Sequence, residues 1–372
     1  MGKLDKDIYQ KEYAIRFCVL SGHIPFLEVN VENQRELSDT STVITDIDVL
    51  GVFIDASGSR RRVIFDCKTL GKSSPINRAF WAAGLMKYAL CNEAFVILRK
   101  KASEAHRLSA KHINVHLFNE KQFANYAEAY SLDFKVDYCY STNIDNWISH
   151  DEIYLKTDNF KKFGHFLNSE IPLETDATRG LKRLLAALQK GKGEFNPEKP
   201  AHLAIFHHAL MIFIFLMSQI VHDLKNVIDF DANKNDFEKL LKYYIWGGKE
   251  SFLQRQKMAK LFADSNHDPS MIEPSLQEWD TFVELTRKLL DSPSEVAKCC
   301  FPMREISFRN IVAPVKDKDL FLAKTIKSNN RIRQFITSQA RYLVKAVKLP
   351  HEFETELSAQ FDELKNIIDK ES

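Results

Sequence analysis

Hydrophobic and polar positions follow two rhythms along this chain. In the first 130 residues, short apolar runs alternate with amphipathic stretches. Ile8, Tyr9, Tyr13, Ala14, Phe17 and Leu20 recur at helical spacing across residues 4 to 21, and Gly22 is placed to end that helix. IPFLEVNV (24–31) reads as a strand, and the polar stretch 30–42 as a loop or irregular edge. Val43 to Ile54 and Arg62 to Leu70 read as two strands joined by a polar, glycine-containing turn. After a break at 71–75, residues 77–90 form an amphipathic pattern containing Phe80, Trp81, Leu85 and Tyr88. AFVIL (94–98) is apolar throughout, as in a sheet interior; 103–108 suits a short helix, INVHLF (113–118) a strand and 120–130 a helix. This order predicts an α/β domain built on a central mixed sheet.

Near Tyr140 the rhythm changes. Helical patterns follow at 159–167, 177–189, 201–224, 236–246, 250–262, 277–290, 318–347 and 351–370, with prolines between several of them. The expected layout is therefore an α/β domain over residues 1–145 and an all-α domain over 146–372. Ala201 to Val221 carries no Asp, Glu, Lys or Arg and is about long enough to span a bilayer. His202, His207, His208, Ser218 and Gln219 interrupt it and no second segment resembles it, so a buried core helix is expected, with no membrane partner.

Charges inside the apolar strands change the picture. Asp46 and Asp48 lie two apart on one strand, and Asp66 and Lys68 two apart on the next. Alternate strand positions share a face, so neighbouring strands would crowd three carboxylates and a lysine together. Charges there are costly unless they are paired or bind a metal. The tripeptide Asp66-Cys67-Lys68 alone says little, because exposed strands carry such pairs as solvated charge. Net charge is +2, so any nucleic-acid surface must be local. Residues 56–112 hold twelve basic side chains against three acidic ones, whereas residues 1–55 hold five basic against ten acidic. Arg60, Arg61 and Arg62 occupy the hairpin turn, and Arg99, Lys100 and Lys101 follow an apolar strand. Each set is either a phosphate contact or a solvated run. The six cysteines show no Cys-x-x-Cys spacing, and the charged N-terminus lacks an apolar signal core; a cytoplasmic location is expected.

These residues resemble the PD-(D/E)xK nuclease superfamily, the fold of many restriction enzymes and Holliday-junction resolvases. The resemblance covers roughly residues 5 to 130 and matches Asp48, Asp66 and Lys68 to the family's acid, second acid and lysine. It assigns Glu12, ten positions before Gly22, as a helper carboxylate, and Arg78 and Trp81 match the following helix loosely. The family's proline is absent, since Ile47 precedes Asp48, and the second acid is Asp rather than the commoner Glu. Asp46 competes with Asp48 for the metal role. The resemblance implies a restriction endonuclease-like sheet and Mg²⁺-dependent hydrolysis of DNA, with Mn²⁺ able to substitute, in DNA processing or defence against foreign DNA. Asp48, Asp66, Glu12 and Asp46 are then metal-ligand candidates, and Arg60, Arg61, Arg62, Lys72 and Arg78 the candidate DNA contacts.

The chemistry accounts for those residue types. Phosphodiester hydrolysis needs a placed water, a neutralised phosphate and a stabilised leaving oxygen, which clustered carboxylates with Mg²⁺ and an adjacent lysine supply. Two alternatives stay open: a catalytically inactive module that binds DNA or a partner, and an RNA-directed nuclease. Cutting both strands calls for two active sites, so a homodimer is among the expectations. The helical half, with Lys316, Lys318, Arg331, Arg333, Arg341 and Lys345 near its end, is expected to serve recognition, dimerisation or a partner protein.

Overall fold

The computed structural model describes residues 7–33, 40–54, 60–68, 74–229, 231–266 and 274–371. Helix α1 (Ile8–Leu20) leads into strands β1 (Ile24–Glu32), β2 (Val43–Ile54) and β3 (Arg60–Lys68). Helix α2 (Pro75–Tyr88), β4 (Glu93–Leu98), α3 (Glu104–Lys111), β5 (Val115–Asn119) and α4 (Glu120–Tyr130) complete the first part. The five strands form one sheet in sequence order: β1–β2 and β2–β3 are antiparallel, β3–β4 and β4–β5 parallel. The chain is thus an N-terminal mixed sheet with flanking helices, followed by a helical region.

Local chemistry sets these elements. Gly22 adopts φ 75° just beyond α1, a left-handed turn that glycine takes without strain. Pro75 opens α2 where its missing N–H costs nothing, and Asn119 and Gln122 form a reciprocal cap at the start of α4. Gly51 lies under α1: a Cβ there would stand 2.9 Å from Cys18 Sγ, so its small size sets the helix–sheet spacing.

One sheet face packs on α1 and α4 through Ile15, Phe17, Val49, Phe65, Phe95 and Phe123. The other face packs on α2 and on the helical region in one continuous core. Phe26 of β1 meets Phe215 edge-on at 6.5 Å. This core runs across residue 145, so the two parts share a hydrophobic interior.

The helical region comprises α5 (Ile144–Tyr154), α6 (Asp158–His165), a short turn α7 (Ile171–Leu173), α8 (Ala177–Gly191), α9 (Pro200–Lys225), α10 (Lys234–Ile245) and α11 (Lys249–Asn266). It continues through α12 (Trp279–Leu290), α13 (Pro293–Lys298), α14 (Cys300–Arg309), α15 (Lys316–Lys327), α16 (Asn330–Val347) and α17 (Glu352–Glu371). Helix α9 is long and apolar enough to cross a membrane, but its apolar window is wholly buried inside the protein. Burial of side chains such as Phe206, Ile212 and Phe213 gives about 1.5–3 kcal/mol each, which makes α9 the axis of this region. The pattern expected as one helix over 318–347 is two. Asn329 breaks it, turning its side chain onto the Arg331 N–H as a cap at 2.9 Å.

Candidate active site

Side-chain alternation breaks at one register of the sheet. On β1, Phe26, Val29 and Val31 join one core and Leu27 the other; the switch falls at Glu28, whose φ is 54°. On the paired strand, Ile47 and Leu50 join one core and Val49 the other, so the switch falls at Asp48. The last paired residues of β2 and β3 at this end are Val49 and Phe65. Past them, the Asp48 carboxylate replaces the ladder: Oδ2 accepts the Cys67 N–H at 2.7 Å. The strands are held apart by an acid side chain where a backbone carbonyl would otherwise sit.

Asp66 and Lys68 lie on the face of β3 that carries Ile64. Asp48 is 7% exposed and Asp66 2%. Lys68 Nζ stands 3.2 Å from Asp48 Oδ2 and 3.8 Å from Asp66 Oδ1. Arg78, one turn into α2, clasps both oxygens of Asp66 and stacks its guanidinium 3.7 Å over the Trp81 ring. The structure therefore joins Asp48, Asp66, Lys68 and Arg78 in one cluster.

Two residues missed in the sequence belong to it. Lys11, 2% exposed, bonds Glu28 at 2.5 Å and lies 3.8 Å from Asp48 Oδ1. Three acids (Glu28, Asp48, Asp66) are thus interleaved with three cations (Lys11, Lys68, Arg78). A charged residue at the middle of the apolar run IPFLEVNV was the signal for Glu28; nothing in the helical pattern distinguished Lys11. Glu28 also lines a cavity of about 440 Å³ with Trp147, His150, Asp151 and His165.

Burial pushes the Asp48 carboxyl above the ordinary carboxylate range; Lys68 opposes the shift and Asp66 adds to it. Burial likewise raises Glu28 against the pull of Lys11, and Asp46 adds to that rise. Burial alone would lower Lys68, yet Asp48 and Asp66 outweigh it, so the ammonium is held above the ordinary lysine value. Lys68 is a fixed positive charge at neutral pH.

Several expected site residues lie elsewhere. Glu12 faces away from the cluster: its carboxylate pairs with Arg16 at 2.9 Å and accepts the Ile144 N–H at 3.3 Å. Adjacent helix positions point about 100° apart, so α1 presents Lys11 to the acids and Glu12 to the start of α5. Arg60 and Arg62 turn toward the helical region. Both donate to the Glu174 carbonyl, Arg62 at 2.6 Å, and Arg62 Nε also donates to the Pro172 carbonyl at 2.9 Å. They satisfy carbonyls at the end of α7, which the turn pattern alone could not reveal. Arg61 is more exposed and lies 3.8 Å from Glu93. Asp46 is half-buried opposite Asn30. Lys72 lies outside the described residues.

Another basic group does border the cluster. Lys68 pairs in register with Leu98 at the end of β4, and Arg99, Lys100 and Lys101 leave the sheet there, all exposed. The late basic residues are partly neutralised within the fold: Arg333 bonds Asp362 at 2.7 Å, Arg341 bonds Glu354 at 2.9 Å and Lys318 bonds Asp137 at 2.9 Å.

Among the described residues, no group of three or more His, Cys, Asp or Glu side chains is arranged to hold a metal ion. Asp48 and Asp66 remain a pair of hard oxygen donors with an ammonium between them. Mg²⁺ is commonly held by one or two carboxylates, the rest of its shell being water and substrate phosphate; Asp48 and Asp66 are donors of that type, and each already faces a cation, Lys68 and Arg78. Comparison with protein-family models, curated proteins and solved structures gives no match.

Proposed function

We propose that the chain is a Mg²⁺-dependent nuclease that hydrolyses DNA phosphodiesters, with a restriction endonuclease-like first domain. The observation that carries this reading is the convergence of Asp48, Asp66 and Lys68 at the point where β2 and β3 separate. The element order supports it: a helix, three antiparallel strands, a helix and a strand parallel to the third. So does the position, since ligands of open sheets containing parallel strands sit beyond the strands' carboxyl ends, where Lys68 and Arg99 to Lys101 lie.

Asp48 and Asp66 would hold the metal, which when bound would polarise the phosphate and lower the pKa of a bound water. Asp48 is kept in place by the Cys67 N–H. Arg78 orients Asp66, and Trp81 braces Arg78. Lys68, held protonated, offsets charge on the scissile phosphate and donates to the attacking water or phosphate oxygen; it is not placed to act as a base in this state. The exposed run Arg99 to Lys101 takes flanking phosphates. Defence against foreign DNA and DNA processing are the roles such chemistry serves.

A second reading has its own support. Glu28, Asp48 and Asp66 each already face a cation, as in a fold that binds nucleic acid or a partner without cutting. The test is incubation of supercoiled plasmid, linear DNA and RNA with the purified chain in Mg²⁺ or Mn²⁺. Plasmid nicking that disappears in Asp66→Asn supports the nuclease. Binding without cleavage of any of them supports the module, and cleavage of RNA alone moves the substrate to RNA.

A further inference from the structure

The three cations of the cluster differ in how firmly they are held. The Lys11 side chain is 2% exposed and that of Arg78 20%, whereas that of Lys68 is 35% exposed. Arg78 is bonded to both oxygens of Asp66 and stacked on Trp81. Lys68 has no such brace: a compact ammonium ends a flexible four-carbon stem, so it can swing outward where a planar, stacked guanidinium is fixed.

Its position matters because it bridges the two acids. Lys68 Nζ stands 3.2 Å from Asp48 Oδ2 and 3.8 Å from Asp66 Oδ1. A divalent ion using those same two oxygens would meet the ammonium at close range and be repelled by it. Glu28, Asp48 and Asp66 against Lys11, Lys68 and Arg78 sum to 3 − 3 = 0, so these six side chains exert no net pull on a metal ion. With the Lys68 ammonium turned away, the remaining five sum to −1 and the bridging position is open. A phosphate is the group that would draw it away. Lys68 pairs in register with Leu98, and the exposed Arg99, Lys100 and Lys101 follow directly, so phosphates held by that run come close to Lys68.

We propose that Lys68 keeps the centre closed to a metal ion until a DNA phosphate draws its ammonium outward, so that metal and DNA bind cooperatively. The inference rests on the nuclease reading and adds a regulation to it: an acid pair that stays neutralised until substrate arrives. Both acids keep their orientation through the change, Asp66 through Arg78 and Asp48 through the Cys67 N–H.

Isothermal titration of the full-length chain with Ca²⁺, an oxygen-seeking divalent ion like Mg²⁺, tests it with and without a short DNA duplex, whose integrity is checked on a gel after each run. Ca²⁺ should bind about 5- to 150-fold more tightly when DNA is present, the usual range for coupled sites, and DNA should bind more tightly in Ca²⁺ by the same factor. Lys68→Met should bind Ca²⁺ more tightly than wild type in the absence of DNA and lose most of the enhancement by DNA. Lys68→Gln, also neutral, serves if circular dichroism shows that Lys68→Met does not fold. Equal Ca²⁺ affinity with and without DNA in wild type, or full enhancement in the folded Lys68 variant, overturns the gate and leaves the metal centre standing. Absence of saturable Ca²⁺ binding under both conditions overturns the metal centre and the gate together.

Discussion

Asp48 should cost the fold stability at neutral pH, and two substitutions separate the reasons. Asp48→Ala removes the acceptor of the Cys67 N–H. That donor is buried between the strands, and leaving it unanswered costs about 1–3 kcal/mol. Asp48→Asn keeps an oxygen at that point and removes the buried charge. It forfeits the attraction of Lys68 at 3.2 Å, but that ammonium is one-third exposed and its attraction is screened. The net upward shift of the Asp48 carboxyl means that burial outweighs its cationic neighbours. Asn should therefore be neutral or stabilising by up to about 1 kcal/mol at pH 7, within the range for neutralising a poorly compensated buried charge.

The sign with pH follows. An acid whose folded pKa is raised contributes stability below its unfolded pKa and loses it as pH rises through the folded value. The advantage of Asp48→Asn over wild type should thus grow above the ordinary carboxylate range and vanish at lower pH. Urea midpoints at several pH values measure it, and hydrogen exchange of the Cys67 amide gives a local readout: fast in Asp48→Ala, slow in Asp48→Asn. If Asp48→Asn at pH 7 is as destabilised as Asp48→Ala, Asp48 is a net structural ion-pair partner and the reasoning fails.

Arg78→Ala strips the almost fully buried Asp66 of its bidentate partner. Loss of one member of a buried pair costs about 3–5 kcal/mol; Arg78 is one-fifth exposed, so the low end is expected from urea unfolding. Arg62→Ala should lower stability by about 2–3 kcal/mol, because two buried carbonyl contacts go, while DNA affinity in a filter-binding assay stays unchanged. Gly51→Ala should destabilise by about 1–3 kcal/mol in the same unfolding assay, since the new methyl meets Cys18 Sγ. Burial lowers His207 to about 3, so its contribution is complete above the ordinary histidine value and fades as pH falls from there. Thermal midpoints between pH 7 and 4 should fall less steeply in His207→Gln than in wild type.

Much of the sheet was legible because its physics is local. The apolar runs of β2 and β4 and the turn chemistry around Gly22 and Pro75 are written in adjacent residues. The pairing of Asp48 with Asp66 and Lys68 was legible for the same reason, as period-two spacing on neighbouring strands. Long-range partners were not. Arg60 and Arg62 look identical to Arg61 in sequence, yet two of the three serve carbonyls more than 100 positions away. Glu12 and Lys11 differ by one helix position, and only the docking of α1 against β1 and β2 decides which faces the acids. The core shared across residue 145 was hidden because each half carries its own periodic pattern. In the later helices, Asn329 acted as a cap inside what otherwise read as one continuous pattern.

The most direct test is supercoiled-plasmid cleavage in Mg²⁺ by wild type and by Lys68→Ala, compared at equal protein and with the fold of each verified by circular dichroism. Wild type is expected to nick or linearise the plasmid. Lys68→Ala should retain DNA binding through the other basic residues and lose cleavage by about 10²-fold or more, the scale for removing one electrostatic stabiliser of a transition state. Equal cleavage by the two proteins would contradict the assignment of Lys68 and, with it, of the Asp48–Asp66 centre as the place where the phosphodiester is cut.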